Sequence, residues 1–434
     1  MSARTRELFG LLPVTLLVTA GFTAVLITRS EDINKVTLTY GAVFLGACLL
    51  GHVFIRARLP DADPYLFPLA ALLAAFGLVE IYRISPTRAI GQAVWFGVGL
   101  AFFCATVMFL RDHRVLERYR YTIAAVGIAL LLAPRIPGIG RATNGAYLAV
   151  GVGPIQFQPA EFSKIAIIIF LASYLNETRD VLAGHGRLPR LSMKHLGPLL
   201  VIWGAAMLML VFIRDLGSAI MFFGGFLAVL YVATSRLSLV LGGAGMFVGG
   251  AALLASKIPH VHDRVEAWLH PFKPDLVEGK AYQIAQGLFA QADGGLFGRG
   301  FGQSLLEVSK GHPIIPAAHT DLIYAVIVNE VGLFGAAAVL VAVLIFVARG
   351  FKTAILATDG FSKLLAVGLT TVFALQVFVI VGGVTKLIPL TGVTLPFVSY
   401  GGSSIVANFM LLALLLIVSD KARRDPANIR GGLV

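Results

Sequence analysis

Charge is what this chain has least of: 13% of its 434 residues are Asp, Glu, Lys or Arg, against 57% hydrophobic. So few ionised groups cannot solvate a water-soluble globule of this length, which leaves a membrane protein as the class. Cysteine is nearly missing. Cys48 and Cys104 both fall inside apolar runs, where a thiol acts as a small hydrophobe, so no disulfide framework follows. The chain also lacks a Walker-type phosphate loop, an HExxH zinc helix and a GxSxG nucleophile elbow, which removes ATPase, zincin and α/β-hydrolase chemistry. Its net charge of +12 is spread over alternate short loops rather than along one face, so it reads as a topology signal and not as a nucleic-acid surface.

What is present is apolar residues in blocks of about 20, the length of helix that crosses a hydrocarbon core of roughly 30 Å. The fold class is all-α, a polytopic membrane protein. Twelve spans are expected, at about 9–28, 36–55, 65–82, 90–110, 120–133, 159–176, 196–213, 216–234, 238–256, 321–348, 362–385 and 403–419. Arg4 and Arg6 precede the first, whose run from Phe9 to Thr28 is too long for a signal-peptide core and has no small-residue cleavage site. Placing the N-terminus inside puts Arg56, Arg58, Arg111, Arg114, Arg118, Arg120, Arg179, Arg187, Arg190, Lys194, Arg349 and Lys352 in inside loops and Lys421, Arg423 and Arg424 in the tail. The positive-inside rule then puts both termini in the cytoplasm.

Two outside segments are too long to be connectors: Pro134 to Gln158, rich in Gly and Pro, and Ser256 to Thr320, rich in Gly, His and charge. In the second, Arg264 to Leu269 reads as a short helix carrying Trp268 at the membrane interface, broken by Pro271 and Pro274. Ala281 to Phe289 has the spacing of an amphipathic surface helix. The glycines of Gly294 to Gly302 then permit tight turns and a close backbone approach.

Ionisable residues inside spans are costly enough to be functional candidates. Glu161 and Lys164 share one helical face, either as an ion pair that orients helices or as part of a site. Asp215, after Arg214, is read first as a helix cap. Glu80 and Glu330 lie within spans. In the large loop Asp275 sits in a rigid setting between Pro274 and a Gly-containing turn, with His319 and Asp321 at the loop's return to the membrane. His312, His319 and Asp321 lack zinc spacing; a divalent cation, magnesium or manganese, that bridges carboxylates and a pyrophosphate is the better reading.

The blocks FQPAEFSK (157–164), RDLGSAI (214–220), YQIAQGLFAQADGGLFGRGFGQS (282–304), PAAHTDLIYAVIVNEVG (316–332) and LIPLTGVTLPFVSYGGSS (387–404) resemble the SEDS family, the FtsW, RodA and SpoVE proteins, in particular actinobacterial RodA-like and FtsW-like members. The resemblance runs from about Asp63 onward. It implies a ten-span core over 61–434 with a large extracytoplasmic loop at 256–320, preceded by two additional N-terminal helices over 1–60. It further implies a peptidoglycan glycosyltransferase that polymerises lipid II outside the cytoplasmic membrane, for elongation, division or sporulation, beside a class B penicillin-binding protein. Asp275 matches the proposed catalytic aspartate, displaced by one residue relative to Pro271 and Tyr282, and Glu278 competes for the role. Lys164, Glu161, Arg264, Gln283, Gln286, His319, Thr320, Asp321, Ser399 and Ser403 are the expected substrate-binding residues, with Lys164 and Arg264 first among pyrophosphate partners and Lys273, Lys280 and Arg299 after them.

Gly287, Ala317, Asn329, Tyr147 and Ala149 depart from the family pattern. Two other classes stay open at this point. Intramembrane Glu161, Lys164 and Glu330 also suit a lipid flippase or transporter, though no inverted repeat is visible. The departures also leave a non-catalytic scaffold that activates a penicillin-binding protein.

Overall fold

Where water is excluded, each backbone amide needs an internal partner, and runs of Leu, Ile, Val, Phe and Ala meet that need as helices. The computed structural model describes residues 2–29, 35–143, 146–152, 155–182, 215–304, 307–309 and 312–425, with Gly197 and Gly204. The expected span at 196–213 and the side chain of Arg214 lie outside the described residues. The other eleven expected spans each coincide with a helix. Eight helices among the described residues are long and apolar enough to cross a bilayer.

In chain order the first helices are α1 (Ala3–Gly10), α2 (Leu12–Arg29), α3 (Lys35–Arg58), α4 (Leu66–Ile84), α5 (Pro86–Phe109), α6 (Val115–Arg118), α7 (Arg120–Leu132) and α8 (Ala160–Leu182). They are followed by α9 (Leu216–Thr234), α10 (Leu237–Lys257), α11 (Pro259–Leu269), α12 (Pro274–Val277), α13 (Tyr282–Gly294), α14 (Ile323–Leu356), α15 (Gly360–Val384) and α16 (Gly402–Arg424). The segment expected only as a Gly- and Pro-rich loop holds an antiparallel sheet of three strands, Gly140–Thr143, Ala146–Val152 and Ile155–Phe157. Glu307–Ser309 and His312–Pro313 form a second, two-stranded piece. Strand pairing lets these segments satisfy their own amides without a helix.

α16 is the central post, with 89% of its spanning window buried. It packs on α5, while α14 and α9 both pack on α15. α4 lies against the turn before α16 so closely that a Cβ on Gly77 would stand 2.3 Å from the Val398 carbonyl oxygen. The N-terminal pair is laid on this core, α2 on α4 and α3 on α5. Between them, towards the end of the bundle that carries the large loop, is a cavity of about 130 Å³ lined by Phe22, Phe44, Leu78, Tyr82, Ala89 and Phe96, among others.

The opposite end is fastened by charge. Asp63, fully buried, accepts from Arg349 Nε at 2.8 Å and from Arg423 at 2.6 Å, and its own N–H donates to Ser419 Oγ. Beside it Arg4 bonds both Glu7 and the Ala62 carbonyl, and His52 Nδ1 lies 2.8 Å from Glu7 Oε1. This network joins the N-terminal helices to the start of α4 and to the ends of α14 and α16. Asp63→Ala would leave two guanidinium groups without their carboxylate in a poorly hydrated place, a loss of about 3–5 kcal/mol. The half-exposed pair Asp61–Arg424 predicts less than about 1 kcal/mol for Asp61→Ala. Thermal unfolding of the two purified variants in one detergent is expected to separate them in that order.

Candidate functional site

The large loop begins with α11, which Pro259 opens and His270 caps, followed by Pro271. The Trp268 indole N–H donates to the Lys386 carbonyl at 3.0 Å, tying the loop to the turn after α15. Ala267, Leu276, Ala281 and Ile284 form a small apolar cluster of the loop's own, with Trp268 and Leu390 against it. α12 is a single turn that Pro274 starts. Leu276 points into the cluster, which leaves Asp275 facing outward, its side chain 63% exposed and 3.2 Å from Lys273 Nζ. That ammonium holds the Asp275 carboxyl below the usual range, so it is ionised at neutral pH. Glu278 is exposed one turn on.

α13 replaces the shorter helix expected over 281–289 and puts Gln283 and Gln286 three apart on one face, both half-buried. Its far end meets a break in α14. Gly332, at φ 68° and ψ −175°, interrupts that helix, and the Gly-rich turn pairs with the exposed backbone. Arg299 N–H donates to the Asn329 carbonyl, Gly300 N–H to that of Glu330, Leu333 N–H to that of Gly295 and Phe334 N–H to that of Leu296. A Cβ on Gly298 would lie 2.2 Å from the Glu330 carbonyl oxygen, so only glycine allows the approach. Asn329, where the family pattern has an acid, donates to the Ala290 carbonyl and to Asp293.

Inside the bundle, Lys164 bonds Glu161 and Gln376 at 2.5 Å each, and Gln376 donates to the Thr394 carbonyl. The ion pair is real and largely spent on joining α8, α15 and the 387–404 segment. Asp215 caps α9, accepting from the Ser218 amide and hydroxyl. It also lies within electrostatic reach of Arg264 and Glu161, and Arg264 in turn faces Asp321 while donating to the Leu390 and Thr391 carbonyls. Glu161, Asp215, Arg264 and Asp321 thus share one neighbourhood beneath the loop. Burial raises the Asp321 carboxyl to about 6, against the opposing pull of Arg264.

His319 stands apart from that group. Its Nδ1 accepts from Arg88 at 2.7 Å, its ring lies against Tyr400, and burial and the Arg88 charge push its pKa down to about 4. The turn that presents it holds Ala317 at φ 51°. The hydroxyls of two expected substrate contacts are occupied by main chain. Ser399 Oγ donates to the Thr320 carbonyl, and Ser403 Oγ accepts from the Gln158 amide. Thr320 Oγ1 reaches the Ala317 carbonyl at 3.3 Å.

Of the loop cations, Lys273 faces Asp275, Lys280 bonds Asp263 and Arg299 bonds Asp293. Among the described residues no three His, Cys, Asp or Glu side chains gather to hold a metal ion. The outward Asp275 suits a hard cation only as a single carboxylate sharing it with substrate oxygens. Sequence reasoning passed over Arg88 and Gln376. Gln376 carried a signal, a lone amide in an otherwise apolar run. Arg88 carried none, because its importance depends on where His319 folds to.

The sequence profile of the cell cycle protein family FtsW, RodA and SpoVE matches residues 65–424. The chain is 40% identical over 425 residues to the peptidoglycan glycosyltransferase RodA of Mycobacterium tuberculosis, covering 93% of this chain and 88% of that one. It is 32% identical to the stage V sporulation protein E of Bacillus subtilis, covering 83% and 98%. A solved peptidoglycan synthase complex, described as coordinating polymerization and crosslinking, contains a chain that superimposes with a TM-score of 0.67 at 26% identity, covering 84% and 99%. RodA of Thermus thermophilus superimposes with a TM-score of 0.59 at 25% identity, covering 84% and 98%.

Asp321 and His319 bias stability in opposite directions. Asp321 holds its proton more tightly folded than unfolded, so its contribution is complete below the ordinary carboxylate range and is lost as pH rises through about 6. His319 holds its proton less tightly folded, so its contribution is complete above the ordinary imidazole range and is lost as pH falls towards about 4. Thermal unfolding against pH is expected to show Asp321→Asn removing a decline on the alkaline side of this window, and His319→Gln removing one on the acid side.

Proposed function

The chain belongs to the FtsW/RodA/SpoVE family of cell cycle proteins, and from that membership we infer that it is a peptidoglycan glycosyltransferase, polymerising lipid II into glycan strands at the outer face of the cytoplasmic membrane. The observation that carries the reading is 40% identity across 93% of the chain to proteins named for that activity. The orientation is inferred from charge: Arg56, Arg58, Arg111, Arg114, Arg349, Lys352 and Lys421 sit at the end of the bundle where α1 starts and α16 ends. The large loop then lies outside the cell. The similar solved complex couples polymerization with crosslinking, which supports a class B penicillin-binding protein as this chain's partner.

Chain growth requires the acceptor's 4-hydroxyl oxygen to bond the donor's anomeric carbon as the bond to the lipid pyrophosphate breaks. A carboxylate opposite the leaving group takes the hydroxyl proton. Asp275, ionised and open to the outside, is the proposed base. Gln283 and Gln286 lie on the helix that follows it and would hold sugar hydroxyls. Arg264 and Arg88 bring positive charge towards the pyrophosphate; the Arg88 partner, His319, is neutral at physiological pH and leaves that charge uncompensated. A divalent cation, magnesium or manganese, would supply charge to the leaving group; Asp275, as the base on the opposite side, would not hold it there, and among the described residues no three carboxylate or imidazole side chains gather to do so.

A specific observation favours Asp321 as a second reading for the base. Its proton affinity, near pH 6, is closer to the operating pH than that of Asp275, which improves the driving force for accepting a proton. With purified lipid II in liposomes, Asp275→Ala is expected to lower glycan formation by at least about a hundredfold while inserting normally. Polymer at the wild-type rate from Asp275→Ala, with none from Asp321→Asn, would move the base to Asp321. Lipid transfer across sealed vesicles by wild-type protein that makes no polymer would replace the enzyme with a transporter.

A further inference from the structure

Four buried oxygen atoms near the junction of the large loop with the bundle have no hydrogen-bond partner: both carboxyl oxygens of Glu80, Oε1 of Glu330 and Oγ of Ser304. They belong to one cluster. Arg83 Nε lies 3.4 Å from Glu330 Oε1, its terminal nitrogen donates to the Ser304 carbonyl at 2.7 Å, and the Glu80 carboxyl lies beside both Glu330 and Arg83. Glu80 is 0% exposed and Glu330 is 1% exposed. Buried polar atoms are normally paired, so four together signal a group that heavy-atom positions do not reveal.

Counting charge and donors identifies it. Two carboxylates share one guanidinium, so ionised Glu80 would be an unbalanced charge in the interior of a membrane bundle. A proton on Glu80 removes that charge and makes one of its oxygens a donor, and Glu330 Oε1 is the acceptor it needs. That one proton gives a Glu80 oxygen and Glu330 Oε1 each a partner.

We propose that Glu80 is a neutral carboxylic acid that donates to Glu330, and that it is a positioning residue for the loop. Glu330 Oε2 accepts the Gly302 amide at 2.7 Å, and the main chain of residues 329–334 carries the Gly-rich turn. Asn329, next to Glu330, holds the last turn of α13. Orienting the Glu330 carboxylate therefore fixes the turn and, through it, the face bearing Gln283 and Gln286. The link to polymerisation rests on the glycosyltransferase reading; the neutral acid does not.

The test compares full-length wild-type protein, Glu80→Gln and Glu80→Leu in liposomes at neutral pH. Infrared difference spectra of wild type against Glu80→Gln are expected to show the loss of one protonated-carboxyl band. The amide of Gln can still donate to Glu330, so Glu80→Gln is expected to keep slow hydrogen exchange at Gly298, Gly300 and Gly302 and to keep polymerisation within about twofold. Glu80→Leu fills similar space without a donor and is expected to speed that exchange, and to cut kcat with little change in KM, by about tenfold each. Absence of the band overturns the proposal in favour of ordered water. Equal exchange in the Gln and Leu variants overturns the positioning role. If the wild type makes no glycan, the glycosyltransferase reading fails, while band and exchange still decide the state of Glu80.

Discussion

A broken helix inside a membrane bundle exposes amides and carbonyls that lipid cannot satisfy, and the arrangement of the whole loop side answers the break at Gly332. The Gly-rich turn lends its backbone to residues 329–334 and thereby becomes part of α14 rather than an appendage of it. Once the turn is fixed, α13 has one place to lie. Once α13 lies there, the Pro274 turn that bears Asp275 is held against it. A loop of more than sixty residues is ordered in this way by a few main-chain bonds and one buried carboxylate, with Trp268 and Arg264 adding anchors on the carbonyls of Lys386, Leu390 and Thr391.

The polar groups inside the bundle divide into two kinds. Lys164, Gln376, Ser399 and Ser403 have spent their hydrogen bonds on the chain itself, joining α8, α15 and the 387–404 segment into a rigid floor. Arg88 keeps charge that its neutral partner His319 does not offset, and Asp275, though beside Lys273, stays ionised and open to the outside. Pre-organisation needs both: a floor whose rotamers are already set, and charges left over for the reacting groups.

Helix positions were legible because hydropathy and length carry them directly, as with α16 and its apolar run up to the basic Lys421, Arg423 and Arg424. The strands over 140–157 were not, since Gly and Pro composition signals a loop whether or not its amides pair. The Glu161–Lys164 pair was visible from spacing alone, whereas its third member, Gln376, lies more than two hundred residues away and only folding brings it in. Trp268 shows the limit of composition arguments: an indole reads as an interfacial residue, while the carbonyl of Lys386 that it bonds, more than a hundred residues on, comes to it only through folding. Gly298 and Gly302 were marked as turn-formers, but what they approach, a broken transmembrane helix, could not be read from the turn's own residues.

The N-terminal hairpin is held unevenly. At one end Arg4, Glu7 and His52 bind it to Ala62 and to the Asp63 junction; at the other, Phe22 and Phe44 face a cavity rather than a filled seam. Mechanically this is a joint clamped by charge at its root and loosely filled around Phe22 and Phe44. A transverse load from a neighbouring transmembrane segment would be taken up at the cavity between Phe22 and Phe44, while leaving the base in register with the rest of the molecule.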